Sequence, residues 1–306
     1  MNINIILKNT DNSEITFNNI FSFTFKKDIY QSYTSFTAKF YGELQTPENV
    51  SEIFFKIDNK TIHHGLADNI SVTNSVNGSM ITVSSRSFTS LLIQNQIETG
   101  LKSNISINDL IESFYTLPYV THEDSATKSY IYIKNNSNMW DGIVNISYKV
   151  HGTYPYIRNT NHIMFNAVEN PSVFEYSDSN IISRGISTAE KKLMSHFHMS
   201  NLEGESGEFE LTDNDVVSHN IVRHRFFELD KQFLYNPQQA LEYRSKFASR
   251  GRKKLFCTYS GYNGEDLSDS ATFGTVQNKR IGSLTITGNS SGIITEIGIY
   301  KDKFHE

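Results

Sequence analysis

The sequence predicts a mainly β protein with α+β insertions, and three observations carry that expectation. Apolar and polar residues alternate through the first ninety positions, in runs such as Phe21, Phe23, Phe25 and Phe36, Ala38, Phe40. Only 5 prolines accompany many Asn, Ser and β-branched residues, a composition that favours antiparallel sheets and turns over long helices. Within residues 78–95 the hydrophobic period changes from that of a strand to that of a helix. This switch marks the exit from a first β-domain.

Residues 2–7 alternate as a strand, turn through 9–13 and return over 14–17 as a hairpin partner. Phe21, Phe23 and Phe25 share one face of the next strand. Phe36, Ala38 and Phe40 do the same against Ser35, Thr37 and Lys39, and Ile53, Phe55 and Ile57 repeat the pattern. Such half-aromatic alternation through successive strands predicts one closed or sandwiched antiparallel sheet. The turn at Asn59-Lys60 continues it towards Gly65. In the switch itself, Ile81 and Val83 alternate with Met80, Thr82 and Ser84. Ser87 is then expected to cap a short helix carrying Phe88, Leu91 and Leu92.

Beyond the switch, Ser106 and Asp109 have capping-box spacing, and Ile107, Leu110, Ile111 and Phe114 form a buried stripe that Leu117-Pro118 ends. A strand over 130–134 precedes a second helix opened by Asn136 or Ser137, with Trp140, Ile143 and Val144 on one side. A hairpin joins 154–158 to 162–165 through Asn159-Thr160-Asn161. From about Phe174 strands resume, with 192–200, 207–211 and 219–228 the best defined. Asn236-Pro237 supplies an N-cap and an N1 proline to the strongest helix, where Leu241, the Arg244 stem, Phe247 and Ala248 face inward and Gly251 terminates. A strand at 255–259, a polar loop at 260–270 and a hairpin of 283–287 with 293–300 complete the chain.

At 306 residues the chain suits about two domains. Its 21 Phe and 16 Tyr put much of the core into large rings. A net charge of −5 with no dominant block of either sign argues against a general or sequence-specific nucleic-acid binder. The single cysteine, Cys257, excludes an intramolecular disulfide and any multi-cysteine zinc site, which fits folding in a reducing cytoplasm. The N-terminus reads as a strand rather than a signal peptide, and no run approaches the ~18 apolar residues of a membrane anchor. Release by lysis is the expected route out of the cell.

No residue is assigned to catalysis, cofactor binding or metal binding. His196 and His198 share a strand face, but no third ligand is identified for a metal. His63 and His64 are neighbours on a strand and point apart. Asp213-Asn214-Asp215 lacks the Gly and later Glu of a calcium loop and reads as a solvated turn. Cys257 sits in an apolar strand with no nucleophile motif around it, and Glu203 has no identifiable buried partner. Arg244, Lys246, Arg250, Arg252, Lys253 and Lys254 cluster at the end of the long helix, where cations complement the helix dipole; an acidic partner subunit is the functional alternative. Arg86 has no assigned role, and bonds to the next helix or to a neighbouring subunit are both open.

Three stretches resemble the baseplate hub proteins of contractile-tailed phages and phage-tail-like bacteriocins, the late control D type. They are the strand-to-helix element 81–92 with its Arg86, the pair Asn138-Met139-Trp140-Asp141-Gly142-Ile143 and Gly152-Thr153-Tyr154-Pro155-Tyr156-Ile157, and the close Ser291-Gly292-Ile293-Ile294-Thr295-Glu296-Ile297. The resemblance implies two antiparallel tube-like β-barrels, at 1–95 and at 186–235 with 273–306. It adds a middle α+β domain at 96–185 and a helical insertion at 236–272. It further implies a non-enzymatic homotrimer that adapts the hexameric tail tube protein to the three-fold central spike protein, beside other baseplate proteins, in a phage or tail-like particle. With the chain closing at Glu306 after the last strand, the peptidoglycan hydrolase that some relatives carry is not expected here. A cell-wall-acting or carbohydrate-binding tail protein is the alternative, on the abundance of Tyr, Phe and Asn.

Overall fold

The computed structural model describes residues 2–76, 78–114, 116–229 and 236–304. The side chain of Phe114, expected in a buried stripe, lies outside the described residues, as do positions 230–235 of the expected second barrel. Strands β1 (Ile3–Asn9) and β2 (Glu14–Phe17) form the opening hairpin. In β3 (Ile20–Asp28) Phe23 and Phe25 are buried, but Phe21 is 49% exposed. A register shift between Ile20 and Ser22 turns Phe21 outward, edge-on to Tyr41. Strands β4 (Ser35–Tyr41) and β5 (Val50–Ile57) bury the aromatic and aliphatic faces the alternation predicts. Asp58 and Asn59, both at positive φ, make the tight turn into β6 (Lys60–Ser75), which pairs in turn with β7 (Gly78–Ser87).

A 3-10 turn at Phe88–Ser90 leads into the single-turn helix α1 (Leu91–Gln94). Ser87 does not cap it: its hydroxyl accepts the Thr34 N–H and bonds the Thr89 hydroxyl instead. Strand β8 (Gly100–Ile105) is followed by α2 (Ile107–Phe114), whose Ser106–Asp109 capping box forms as predicted. After β9 (Thr121–His122) and β10 (Ser129–Ile133), helix α3 (Met139–His151) opens on Asn138 with a capping box to Asp141, rather than on Asn136, which sits at φ 62° in the preceding turn. The hairpin of β11 (Tyr156–Arg158) and β12 (His162–Met164) follows. Next come β13 (Val173–Tyr176), β14 (Ile181–Thr188), β15 (His196–Ser200), β16 (Ser206–Thr212), the short α4 (Asn214–Ser218) and β17 (His224–Phe227). Asn236 caps α5 (Pro237–Ser249), and Gly251 follows it at φ 67°. Strands β18 (Lys253–Ser260), β19 (Ser270–Phe273), β20 (Val276–Arg280), β21 (Ser283–Asn289) and β22 (Gly292–Tyr300) end the chain.

The protein is mainly β with helical insertions, and its largest sheet is a curled half-barrel of eleven antiparallel strands in the order β14-β18-β22-β21-β3-β4-β7-β6-β5-β1-β2. The early and late β-regions of the sequence meet in it, because β21 pairs with β3 from Ser283 opposite Asp28 to Asn289 opposite Ser22. Two segments differ from the sequence expectation. β18, inside the expected helical insertion, hydrogen-bonds between β14 and β22 in the main sheet. β15, β16 and β17, expected with the second barrel, form a separate three-stranded sheet.

Packing accounts for both. One hydrophobic core is built on the large sheet from Phe25, Phe36, Phe40, Phe55, Ile286 and Ile297, to which β18 adds Leu255, Cys257 and Tyr259. A second core joins α2, α3 and α5 through Leu110, Ile143 and Leu241, and takes in Phe197 and Met199 of β15. Fully burying each such side chain is worth about 1.5–3 kcal/mol, enough to hold the small sheet against α5 rather than on the half-barrel.

Candidate functional site

The residues tested for chemistry fall into structural settings. Cys257 is fully buried, and burial pushes its thiol up to about 11, away from a nucleophile. His63 is also fully buried, held at 2.8 Å on each side by the Thr34 and Ser85 hydroxyls, and desolvation lowers it to about 3. Asp213 is not in a solvated turn but is the N-cap of α4, 7% exposed and bridged to Lys303 at 2.8 Å. Glu203 is exposed. His196 and His198 gain His224 and Glu210 as neighbours, with His198 Nε2 2.9 Å from His224 Nδ1 and His198 Nδ1 2.8 Å from Glu210. Among the described residues, no group of three or more His, Cys, Asp or Glu is arranged to hold a metal ion. No helix among them is long and apolar enough to cross a membrane.

The basic end of α5 is spent largely inside the subunit. Arg250 lies 3.6 Å over the Phe247 ring and bonds its carbonyl, Arg244 lies over Phe227, and Lys246 lies over Tyr148. Arg252 pairs with Asp215 and Glu190, and Lys254 with Glu296. Arg86 is likewise satisfied within the subunit, by Asp68 of β6.

What the structure does concentrate is a polar seam between the half-barrel and the units flanking it. Lys27, 4% exposed on β3, donates to Asp266 at 2.5 Å and to the Asn159 carbonyl at 2.6 Å. Burial pushes its ammonium below the usual lysine range despite Asp266. Asp269 accepts from Arg158 at 2.8 Å, while buried Glu265 accepts from the Tyr176 and Tyr259 hydroxyls. Burial first, and then the Glu265 charge, push both phenols up. On the other side, Glu52 accepts from His64 at 2.6 Å and from Lys8 at 2.9 Å, and these bonds outweigh its burial to hold the carboxyl below its ordinary range. Asn161 completes the seam by accepting from Thr89 N–H and donating to the His64 carbonyl. The sequence signal for this seam was the acid-rich loop 265–269, whose buried placement no periodicity reveals.

Such an arrangement fixes modules in place. The features left free to act lie at the sheet's ends. β2 and β14 are its outermost strands, each paired on one side only among the described residues. β14 exposes Ile182 and Ile186 at 58% and 61%. Edge strands present unpaired backbone groups and serve as templates for another chain unless they are covered.

No protein-family model matches the chain. No curated protein matches it either. Solved structures do. A tail protein from Neisseria meningitidis MC58 is 12% identical with a TM-score of 0.74, over 100% of this chain and 98% of that one. The prophage MuSo2 43 kDa tail protein from Shewanella oneidensis is 11% identical with a TM-score of 0.71, over 99% and 100%. An Escherichia coli component of the type VI secretion system, described as structurally similar to the T4 bacteriophage tail proteins gp27 and gp5, is 8% identical with a TM-score of 0.58, over 94% and 75%. From end to end, this chain has the fold of phage tail proteins and of the type VI secretion component that resembles them.

Proposed function

We propose that the protein is a structural, non-enzymatic baseplate hub of a contractile phage tail or tail-like bacteriocin. In this reading three copies associate, and their paired β-regions present a quasi-six-fold face to the tail tube and a three-fold face to the central spike, with other baseplate proteins around them. The observation that carries it is the eleven-stranded half-barrel, which unites the early and late β-regions and ends in two open edges, β2 and β14. A curved sheet with two different edges suits head-to-tail association, which closes into a ring when the rotation between copies allows it. The likeness to tail proteins over the full chain supports the same role. In this reading residues 1–95 and 273–306, with β14 and β18, make the tube-like part, and the α+β unit with α5 stands outside the ring. Assembly into a particle in the bacterial cytoplasm, with release by lysis, goes with this role.

The test is light scattering of the purified protein combined with negative-stain microscopy of tail particles. Three-chain rings in solution and the protein's presence at the tube-to-spike junction are expected. A strict monomer that is absent from tail particles would overturn the proposal.

A further inference from the structure

The small sheet β15-β16-β17 carries a column of four nearly parallel rings on its outer face. His196 stacks on His224 with centroids 4.3 Å apart and planes 13° apart, and His224 stacks on His198 at 5.2 Å and 11°. His198 stacks on Phe226 at 4.5 Å and 12°. Three of the protein's 10 histidines thus lie ring against ring. Strand β17, which supplies His224 and Phe226, runs parallel to β15 over four residue pairs and, among the described residues, pairs with no other strand. Besides these pairs and this column, Phe227 packs beside Phe197 on the inner face, and Arg223 and Leu229 bond Ser195 and Ser200 at either end of the strand.

The hydrogen bonds restrict how many protons the column accepts. Ionised Glu210 only accepts, so His198 donates to it from Nδ1 and keeps a lone pair on Nε2. His224 then donates from Nδ1 to that lone pair. One added proton fits on the far nitrogen of His224. A second, on His198 Nε2, puts hydrogens on both nitrogens of a 2.9 Å contact and breaks it. His196, with Nδ1 2.8 Å from the Ser195 hydroxyl, can charge as well, but then faces a cation in the adjacent ring.

Among the described residues, the surroundings offer one compensating charge in direct hydrogen-bond contact. Glu210 of β16 bonds His198, and Glu208 occupies the same side of that strand two residues away. From the segment before β17 only the Arg223 backbone reaches Ser195, because the Arg223 guanidinium bonds the carbonyls of Glu190, Lys191 and Leu193. Arg225 lies between His224 and Phe226 on β17, opposite Phe197. On the inner face, α5 brings Arg244 over Phe227, a further positive group. Histidine is the side chain that ordinarily changes charge between pH 5 and 8.

We propose that this imidazole column is an acid-sensitive clasp that holds β17 on β15 at neutral pH and releases it as the stacked rings become multiply charged. Release uncovers Phe197, which β17 covers through the stacked Phe227 ring, without unfolding the half-barrel. The inference is independent of the hub reading, since it concerns one edge of one subunit.

Hydrogen exchange of the intact protein at pH 7.5 and 5.5, corrected for intrinsic rates, tests it. Protection of residues 224–227 relative to that of β18 is expected to fall fivefold or more in the wild type. His224→Phe and His196→Phe, which keep a ring in the column but remove a charge, are each expected to cut that fall by at least half; either folded variant suffices. A wild-type fall of less than fivefold, or a fall of wild-type size in the variants, overturns the proposal.

Discussion

Arg86 on β7 grips Asp68 on β6 through two parallel hydrogen bonds, Nε to Oδ2 and Nη2 to Oδ1, each 2.8 Å long. Asp68 is the extra residue of a β-bulge: Ala67 faces Ser85 and Asn69 faces Ser84, leaving Asp68 outside the strand register. The fork therefore closes the sheet over its own irregularity. Both side chains are about a quarter exposed, which limits the pair to about 1 kcal/mol. Arg86→Ala is expected to lower stability by that amount in urea unfolding, while the association state measured by light scattering stays that of the wild type. A loss of association at unchanged stability would move Arg86 to a subunit interface.

His63 makes stability depend on pH. Its folded-state value, about 3, lies below the ordinary 6.5, so the unfolded chain binds the extra proton between these limits. The stabilisation is complete above about pH 6.5 and is lost as pH falls towards 3, with a slope of up to about 1.4 kcal/mol per pH unit. His63→Gln, able to bond the Thr34 and Ser85 hydroxyls, should remove this slope from a series of urea melts between pH 7 and 4. An unchanged slope in the variant would assign the acid sensitivity elsewhere.

Gly65 is required by a close backbone approach. A Cβ there would lie 2.2 Å from the Arg86 carbonyl oxygen and 2.8 Å from His63 Nε2. The first obstacle is main chain held in the β6–β7 ladder, so it does not yield as a flexible side chain does. Gly65→Ala is expected to cost about 1–3 kcal/mol or more, read as a lowered Tm. A neutral result would mean that the two strands separate freely at this point.

The Lys27–Asp266 pair is asymmetric. Removing the carboxylate in Asp266→Ala leaves a buried ammonium with the Asn159 carbonyl as its remaining bond partner, and is expected to cost about 3–5 kcal/mol. Lys27→Met should cost less, because Asp266 is 16% exposed and keeps the Asn159 N–H. Urea unfolding of the two variants compares them directly, and equal losses would refute the asymmetry.

The parts of the fold legible in the sequence are those set by local chemistry. The Phe36, Ala38, Phe40 alternation, the Ser106–Asp109 box, the Asn236-Pro237 helix start and the β21–β22 hairpin are where the periods and caps put them. β8 and β14 were missed because neither has a buried residue and hence no two-residue hydrophobic period to read. Ser87 failed as a cap because its hydroxyl is taken by Thr34, 53 residues away. Distance in sequence hid the Asp68 partner of Arg86 in the same way, and the third histidine beside His196 and His198 comes from β17, reached by parallel pairing. Side chains that answer to a remote strand leave no mark on local spacing.

The central claim concerns association, and the exposed isoleucines of β14 give it a handle. If the open edges join copies, Ile182→Lys with Ile186→Lys should weaken association at least tenfold while leaving Tm within about 2 °C, since surface substitutions away from packed features change stability by about 0.5 kcal/mol or less. Sedimentation equilibrium of the pair of variants beside the wild type reads both outcomes. Equal association would place the contact at another surface.

Mass measurement of the purified wild-type protein across a concentration series tests the account most directly. The account predicts a species of three chains that persists on dilution and appears as a ring with a central opening by electron microscopy. A single-chain species at every concentration, with no such ring in tail particles, would contradict it.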